Sequence, residues 1–307
     1  MVKLLEGKVI VVTGAGGGRG AKGVGECVAL EAAGLGAHVV VNDVGKLESG
    51  GSTAEVTVAA IKAAGGSAAP SLDSVATWSG AEKLVQCALD NFGRVDGIVN
   101  NAGVLRDKIF FKMTEEEWDI SISVNLKGCF NVARMAAPYF KDQNSGSMVH
   151  MTSTSGLIGN FGQANYCAAK MGLVGLSKAI ALDMQRFKVR SNCIAPFAMT
   201  PMVISGVPNQ TEEDKARWRV IERMKPENIA PFACALLSDA AADISGQIFG
   251  VRANEIYLFS QPRPIRTAHS GEPGWTADTV IERVFPMFRP SFFPLDRSMN
   301  VFSWDPV

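Results

Sequence analysis

Two side chains one helical turn apart have the chemistry to transfer a proton. Tyr166 and Lys170 are separated by Cys-Ala-Ala, so a helix over 166–187 places them on one face. An ammonium beside a phenol stabilises the phenolate, and such a phenol can pass a proton to or from a carbonyl oxygen. Because the same pair also occurs on ordinary surface helices, the hypothesis depends on other residues.

Two further polar residues have the types that would complete such a site. Ser153 lies directly after a predicted strand over 147–151, where its hydroxyl could hold a substrate oxygen beside Tyr166. Asn125 interrupts a long predicted helix over 115–140; a surface asparagine at a kink is the plainer interpretation. Together with the tyrosine and the lysine, these residues favour proton transfer at a substrate oxygen.

The N-terminal segment has the pattern that cradles a dinucleotide. A buried strand over 9–12 runs into Thr13-Gly14 and a glycine-rich turn, followed by a helix and a second strand that ends at Asp43. Glycines let the backbone approach phosphates, and a helix N-terminus supplies amide donors. The Asp43 carboxylate can bind both hydroxyls of the adenosine ribose and repels a 2′-phosphate, which predicts NAD rather than NADP.

This glycine-rich turn is longer than usual. Gly20 precedes Asp43 by 23 residues, which is long for one helix and one short strand, whereas Gly25 precedes it by 18. We therefore predict an insertion of roughly five residues, after which Gly23, Val24 and Gly25 open the helix. The candidate cofactor contacts in this segment are Gly14, Gly18, Gly23 and Val24. A merely flexible turn is the alternative.

Strands and helices alternate over about the first 200 residues. Continuous apolar strands separated by helices predict an α/β fold with a doubly wound parallel sheet and helices on both faces. Ligands of such sheets bind beyond the carboxyl ends of the strands. We expect one domain over 1–307, with a core over 1–251 and a C-terminal extension over 252–307.

Composition excludes several classes of partner. Thirty basic and thirty acidic side chains give no net charge, whereas a nucleic-acid-binding surface usually leaves a basic excess. The chain shows no signal peptide and no apolar run of the ~18 residues that span a bilayer. The six cysteines are scattered without metal-ligand spacing, which predicts reduced thiols, no metal site and a cytoplasmic protein.

Taken in order, these residues resemble the short-chain dehydrogenase/reductase family over roughly residues 7–250. The matching positions are Thr13-Gly14 with its glycines, Asp43, Asp73, Asn100–Gly103, Asn125, Ser153, Tyr166, Lys170 and Thr200. The resemblance implies a Rossmann-type sheet of about seven parallel strands and hydride transfer with NAD. It makes Tyr166 the acid/base and Ser153 the group that orients the carbonyl. Lys170 would hold the nicotinamide ribose, and Asn125 would bind a water of a proton relay.

The resemblance also implies further cofactor contacts and a homo-oligomer. The additional contacts are Asp73 and Ser74 near the adenine, Asn101, Ala102 and Gly103 near the adenosine, and Thr200 at the carboxamide. The segment 196–200 departs from the family pattern, because it lacks the common glycine after proline and is one residue shorter. Members of the family usually form dimers or tetramers through two long helices, here 115–140 and 165–187.

A narrower resemblance concerns the substrate. The segments Val41–Gly45, Leu105–Asp107, Gly159–Tyr166, Met224–Glu227 and Ser245–Phe249 resemble the (3R)-hydroxyacyl-CoA dehydrogenase unit of peroxisomal multifunctional enzyme type 2. This implies an NAD-linked dehydrogenase of 3-hydroxyacyl-CoA in lipid or steroid metabolism. A hydroxysteroid or other free-alcohol dehydrogenase is one alternative. A non-catalytic dinucleotide-binding regulator is another, although the intact Ser, Tyr, Lys and Asn set argues against it.

Four apolar residues are candidate walls of a substrate pocket for a fatty or steroidal ketone. They are Leu157, Phe161, Phe197 and Met202, and for each of them simple core packing is an equal alternative. Arg263, Arg266 and His269 could meet CoA phosphates, although a solvated loop or a subunit contact is the more ordinary role of such a run.

Overall fold

The computed structural model describes residues 3–200, 211 and 222–307. Within them, eight strands form one sheet in the order β3-β2-β1-β4-β5-β6-β7-β8. The strands are β1 (Val9–Thr13), β2 (His38–Asn42), β3 (Ser67–Ser71), β4 (Gly97–Asn100), β5 (Gly146–Met151), β6 (Val189–Phe197), β7 (Ile248–Arg252) and β8 (Glu255–Leu258). All pairs from β3 to β7 are parallel, which confirms the predicted doubly wound sheet.

Eight helices connect and flank these strands in the described part of the chain up to residue 237. They are α1 (Val24–Gly34), α2 (Thr53–Ala63), α3 (Trp78–Phe92), α4 (Glu115–Ile122), α5 (Gly128–Gln143), α6 (Thr154–Leu157), α7 (Ala164–Met184) and α8 (Ala230–Leu237). Local capping fixes several of the ends. Thr114 and Glu117 form a reciprocal capping box at α4, and Gly93 ends α3 in the left-handed conformation.

The sheet is buried on both faces because its strands are apolar at successive positions. In β1, Ile10 and Val12 pack into one apolar cluster with residues of α1, α2 and α8. Val9 and Val11 pack into a second cluster with residues of α3 and α5. Since neighbouring side chains of a strand point to opposite faces, one short strand contributes to both layers of the core.

The predicted long helix over 115–140 is interrupted where the sequence places Asn125. A single π-helical turn, Ser123–Lys127, joins α4 to α5. Such turns insert one extra residue into the helical ladder and are frequent at functional sites. The interruption turns the buried Asn125 side chain toward the loop that follows β4.

The eighth strand was not expected from the sequence, which implied about seven. β8 pairs antiparallel with β7 through a tight turn in which Ala253 has φ of +49°. It lies inside the predicted C-terminal extension, which we call the C-terminal segment (252–307). The strand escaped prediction because four residues carry too little periodic pattern.

The rest of the C-terminal segment returns to the main body of the protein. It contains three short α-helical segments, α9 (Ala277–Thr279), α10 (Phe285–Phe288) and α11 (Ser298–Val301), and a π-helical turn, Val280–Val284, joins the first two. The Phe302 ring packs against Phe197, with ring centroids 4.8 Å apart, and against Tyr257 at 5.2 Å. Ser298 donates from its backbone N–H to the Gly159 carbonyl oxygen at 3.1 Å. The segment therefore bridges the loop before α7 and the end of β6.

All six cysteines are unpaired. Burial raises the pKa of the Cys27, Cys193 and Cys234 thiols to about 12 and that of Cys129 to about 11. These thiols are therefore protonated near neutral pH and behave as small apolar core residues.

Candidate active site

Tyr166 and Lys170 face one cleft at the carboxyl edge of the sheet. Both lie on α7, with the tyrosine in its first turn. The buried Lys170 donates a 2.7 Å hydrogen bond from Nζ to the carbonyl oxygen of Met151, the last residue of β5. The same Nζ lies 5.5 Å from the centroid of the Tyr166 ring. A helix and a strand end therefore hold the ammonium close to the phenol ring.

Ser153 is positioned by the end of β5 and the start of α6. Its Oγ accepts a 3.1 Å hydrogen bond from the Ser155 N–H as the N-cap of α6. The preceding Thr152 donates from Oγ1 to the Lys170 carbonyl oxygen at 2.5 Å, which ties this segment to α7. The Ser153 O–H has no hydrogen-bond acceptor within the described residues. Ser153 itself is not one of the residues that line the cleft, whereas its neighbour Thr152 is.

Asn125 is fully buried and holds the loop after β4. Its Oδ1 accepts from the Val104 N–H at 3.2 Å, and its Nδ2 donates to the carbonyl oxygens of Val104 at 2.9 Å and Ser121 at 3.0 Å. A Cβ on Gly103 would lie 2.7 Å from Asn125 Oδ1 and 3.7 Å from Lys170 Nζ. Gly103 is thus packed between the asparagine and the lysine.

The loop after β1 and the loop after β4 meet at the topological switch point of the sheet. The backbone N–H groups of Asn101 and Ala102 both donate to Thr13 Oγ1 at 3.0 Å. Asn101 Nδ2 donates to the carbonyl oxygens of Thr13 at 3.0 Å and Gly14 at 2.9 Å. Asn101 therefore positions the glycine-rich loop, and Asn101, Ala102 and Gly103 all line the cleft.

The glycine-rich loop (14–23) opens onto the same cleft. Helix α1 begins at Val24 with Gly23 as its N-cap residue, as predicted from the insertion. A Cβ on Gly25 would overlap the Gly14 carbonyl oxygen and lie 2.5 Å from Asn101 Nδ2, so the two loops touch through bare backbone. Gly14, Gly23 and Val24 line the cleft. Gly18 is exposed, with φ of +82°, and is not one of the lining residues.

Asp43 stands at the far end of the cleft and is surrounded by donors. Its Oδ2 accepts from the Gly16 N–H at 3.1 Å. Its Oδ1 accepts from Arg19 Nη2 at 2.9 Å and from the Gly45 N–H at 2.7 Å. The Thr53 hydroxyl lies 3.0 Å from both this Oδ1 and the Gly45 carbonyl oxygen. The sequence prediction missed Arg19, although a cation inside an inserted loop beside a predicted carboxylate was a signal that could have found it.

The three remaining predicted cofactor contacts do not all lie at the cleft. Thr200 lines the cleft together with Pro196 and Ala198. Asp73 follows β3, where its carbonyl oxygen accepts from Asn42 Nδ2 at 2.8 Å and its carboxylate lies 3.9 Å from Lys83 Nζ. Ser74 is exposed, and its Oγ accepts a 3.3 Å hydrogen bond from the Ala76 N–H. Neither Asp73 nor Ser74 is among the residues that line the cleft.

The family follows from sequence comparison. Residues 18–253 match the family model described as enoyl-(acyl carrier protein) reductase. Peroxisomal multifunctional enzyme type 2 of Mus musculus is 42% identical over 255 residues, which are 82% of this chain and 32% of that protein. The chain belongs to the short-chain dehydrogenase/reductase family. It spans about a third of the length of the mouse enzyme, which confirms the predicted resemblance to one unit of that protein.

Two further members of the short-chain dehydrogenase/reductase family match nearly the whole chain. A hydroxyacyl-CoA dehydrogenase of Mycobacterium tuberculosis is 36% identical over 281 residues, 88% of this chain and 85% of that protein. The crystal structure of a short chain dehydrogenase from Mycobacterium avium has a TM-score of 0.82 and 34% identity, covering 96% of this chain and 99% of that one. The fold and the oxidoreductase class are thereby established.

The residues predicted to form the walls of a substrate pocket lie in different environments. Leu157 packs into a small apolar cluster with Val174, Cys193 and Ile248. Phe161 is 71% exposed, and the Arg297 guanidinium lies 5.0 Å from its ring centroid. Met202 lies outside the described residues.

Phe197 packs toward the C-terminal segment, while its neighbours Pro196 and Ala198 line the cleft. Strand alternation explains this difference, because adjacent side chains of β6 leave on opposite faces. The candidate cations of the C-terminal segment are exposed: Arg263, Arg266 and His269, with Arg266 Nε donating to Ser291 Oγ at 2.9 Å.

A buried histidine lies in the polar network near Lys170. His150 Nδ1 lies 3.1 Å from Asn100 Nδ2, and its Nε2 lies 3.1 Å from Ser191 Oγ. Burial, and secondarily the charge of Lys170, lowers the pKa of His150 to about 4. The ring is therefore neutral at physiological pH and forms part of the polar network inside the sheet.

Two classes of feature are absent from the described ranges. In residues 3–200, 211 and 222–307, no group of three or more His, Cys, Asp or Glu side chains is arranged to hold a metal ion. No helix in those same ranges is long and apolar enough to cross a membrane.

Proposed function

We propose that this protein is an NAD(H)-dependent oxidoreductase that interconverts a secondary alcohol and a ketone on a 3-hydroxyacyl-CoA. The observation that carries the proposal is a single cleft. Gly14 and Asp43 line one part of it, and Tyr166 and Lys170 line another. A dinucleotide needs a phosphate cradle and a ribose acceptor at one end and a proton-transfer group at the other.

The residues present fit a dinucleotide. Bare backbone meets at Gly14 and Gly25, where a side chain would collide with the facing loop. The N-terminus of α1 follows directly, and its first amide groups and dipole favour a pyrophosphate. Gly23, Val24 and Ala102 line the cleft between the carboxylate of Asp43 and the catalytic residues. When bound there, a nicotinamide dinucleotide carries the hydride.

The chain's own residues supply the rest of the chemistry. The Tyr166 phenol gives a proton to the carbonyl oxygen during reduction and takes it back during alcohol oxidation. Ser153 donates its O–H to the same oxygen and orients it. Lys170, held by the Met151 carbonyl oxygen, positions its Nζ beside the phenol ring, 5.5 Å from the ring centroid. Asn125 fixes the loop that packs against the lysine.

NAD is proposed as the preferred cofactor because a carboxylate, that of Asp43, directly follows β2. Asp43 Oδ2 accepts one hydrogen bond, from Gly16, and a carboxylate oxygen has about two acceptor sites. One site therefore remains for a ribose hydroxyl. A 2′-phosphate would replace the hydroxyl that this site can accept, so the preference for NAD is proposed from the open Oδ2 site even though Oδ1 is paired with Arg19.

The 3-hydroxyacyl-CoA substrate is supported by the relatives. The similarity to a hydroxyacyl-CoA dehydrogenase extends over 281 residues and so reaches into the C-terminal segment. That segment contacts the loop after Ser153 through Ser298, which places it near the proposed substrate side of the cleft. A cytoplasmic location stays a prediction from the sequence.

The test is NADH oxidation with acetoacetyl-CoA, run beside a 17-keto steroid. We expect turnover of the acyl-CoA and a loss of turnover in Tyr166→Phe. Turnover of the steroid with no turnover of any acyl-CoA would replace the proposed substrate with a free hydroxysteroid. Full turnover in Tyr166→Phe would remove the catalytic assignment. NADH binding without turnover of either substrate would favour a regulator.

A further inference from the structure

Asn165, the residue before the proposed acid Tyr166, is fully buried and joins three elements of the fold. Its Nδ2 donates to the carbonyl oxygens of Arg106 at 2.9 Å and Glu117 at 2.8 Å. Its Oδ1 accepts from the backbone N–H of Tyr166 at 2.7 Å. One amide side chain therefore connects the loop after β4, helix α4 and the first turn of α7.

The start of α7 has no capping side chain at the usual position. Gln163 is the N-cap residue, and its side chain makes no capping hydrogen bond. The first N–H groups of a helix have no partner inside the helix and need one outside it. Asn165 supplies the acceptor for the Tyr166 N–H. The Gln163 side chain instead donates from Nε2 to Asp107 Oδ2 at 2.7 Å, which is a second link to the loop after β4.

The loop after β4 is held against α7 mainly by such contacts, because residues 106–110 are exposed to solvent. The backbone N–H of Lys108 donates to the Gly162 carbonyl oxygen at 2.8 Å. We call the hydrogen bonds that Gly162, Gln163 and Asn165 make with this loop and with α4 the α7 latch. Asn165 is the member of the latch that also contacts the backbone of the proposed acid.

Tyr166 and Lys170 are held in place by different neighbours. Lys170 is fixed through β5, because its Nζ donates to the Met151 carbonyl oxygen and its own carbonyl oxygen accepts from Thr152. Tyr166 lies one turn nearer the start of the helix, where its backbone N–H depends on Asn165. Since helix ends fray without end contacts, loss of Asn165 would displace the phenol and leave the ammonium in place. A displacement of about 1 Å can cost about 100-fold in rate.

We propose that Asn165 is a positioning residue that fixes the Tyr166 phenol where it passes a proton to the substrate oxygen. It does so by tying the first turn of α7 to the loop after β4 and to α4. This inference rests on the proposed function, since the phenol is the acid of that reaction. Asn165 is not one of the residues that line the cleft, so its effect on turnover runs through the tyrosine.

A double-mutant cycle in the full chain tests this inference. Asn165→Ala, Tyr166→Phe and the double variant are assayed by NADH oxidation with acetoacetyl-CoA. NADH binding is measured by fluorescence, and stability by urea unfolding. Asn192→Ala is the matched control, because this buried side chain donates to the Ile244 carbonyl oxygen at 2.8 Å and accepts from the Gln247 N–H at 3.0 Å. Those contacts precede β7, at the edge of the sheet opposite the cleft.

We expect Asn165→Ala to lower kcat about 10- to 100-fold, while the dissociation constant of NADH changes less than about threefold. In the Tyr166→Phe background the same substitution should change kcat less than about threefold, because the group that it positions is already gone. Asn192→Ala should keep kcat within about threefold of the wild type, even if its urea midpoint falls as far as that of Asn165→Ala.

A second variant keeps the test decisive if Asn165→Ala does not fold. Asn165→Ser retains a polar group at the start of the helix but is one atom shorter, so it gives up the contacts with the loop and with α4. It goes through the same cycle with Tyr166→Phe, and the same loss of kcat and the same lack of additivity are expected.

Three results would overturn the inference while leaving the proposed function in place. One is a loss of kcat that recurs in full in the Tyr166→Phe background, because the residue would then act independently of the phenol. Another is unchanged kcat in the Asn165 variants. The third is an equal loss in Asn192→Ala, which would reduce the effect to general stability. If the wild type reduces the 17-keto steroid and no acyl-CoA, the cycle is run with the steroid. If it turns over neither, the proposed function fails and this inference fails with it.

Discussion

Lys170 Nζ lies 5.5 Å from the centroid of the Tyr166 ring, and its hydrogen bond to the Met151 carbonyl oxygen holds it there. The hydrogen bond to the end of β5 therefore fixes the position of the ammonium. A lysine side chain on an exposed helix would be free to move. The lysine side chain is buried, so packing as well as the hydrogen bond restricts its position. This relationship supports the proposal that the two side chains act together.

Replacement of Tyr166 by phenylalanine should remove proton transfer and little else. We expect kcat for acetoacetyl-CoA reduction to fall about 100- to 10,000-fold, the usual contribution of a positioned acid. The dissociation constant of NADH, measured by its fluorescence, should change less than about threefold. A parallel loss of NADH binding would indicate that the ring shapes the cleft instead of delivering a proton.

Gly25→Ala should damage the contact between the two loops. Its Cβ would overlap the Gly14 carbonyl oxygen, so we expect about 1–3 kcal/mol less free energy of unfolding, together with weaker NADH binding. Gly23→Ala is the matched control, because a Cβ there has no atom within 4 Å and its φ is −94°. Urea unfolding should show a change within about 1 kcal/mol for the control. Equal losses in both variants would contradict the packing explanation.

Asn125→Ala should destabilise the π-helical turn. The change leaves the Val104 N–H and the Val104 and Ser121 carbonyl oxygens without the partners they have now. Since unsatisfied buried groups are costly, the free energy of unfolding should fall by about 3 kcal/mol. Asn91→Ala removes an exposed side-chain hydrogen bond to the Cys87 carbonyl oxygen at 2.8 Å, and should change stability by about 0.5 kcal/mol or less.

His150 should make the protein sensitive to acid. Its pKa falls from 6.5 to about 4 in the folded protein, so between these values the unfolded chain binds more protons. Stability from this group is complete above pH 6.5 and is lost as the pH falls toward 4, on the order of 3 kcal/mol in all. His150→Gln should flatten the fall of unfolding free energy over that range. An unchanged pH profile would show that other groups control acid unfolding.

A homo-oligomer through the long helices remains a proposal, with Leu182 as its probe. Large apolar side chains are exposed on α5 and α7, among them Phe130, Tyr139, Met171 and Leu182, the last 75% exposed. We expect a dimer or tetramer in sedimentation equilibrium and a shift toward monomer in Leu182→Glu. Leu295→Glu is the control, because Leu295 is fully exposed in the C-terminal segment. A monomeric wild type would refute the proposal.

Apolar periodicity was enough to predict the parallel sheet and most helices. β1 reads as an unbroken apolar run, and Asn125 marks the helix interruption, because both depend on neighbours in the sequence. The i, i+4 spacing of Tyr166 and Lys170 likewise needs only a helix. The start of α1 at Val24 followed from counting residues back from Asp43.

Contacts between distant segments needed the tertiary structure. Arg19 meets Asp43 because an inserted loop folds back across the end of β2, and no local pattern encodes that path. Strand alternation turns Phe197 away from the cleft, but only the tertiary structure shows that Phe302 of the C-terminal segment packs against it there. Local propensity sets each element, whereas the environment of a side chain depends on which remote backbone is packed against it. The sequence alone thus determined the parallel sheet and predicted a catalytic set, and the three-dimensional packing decided how the ends of the cleft are lined.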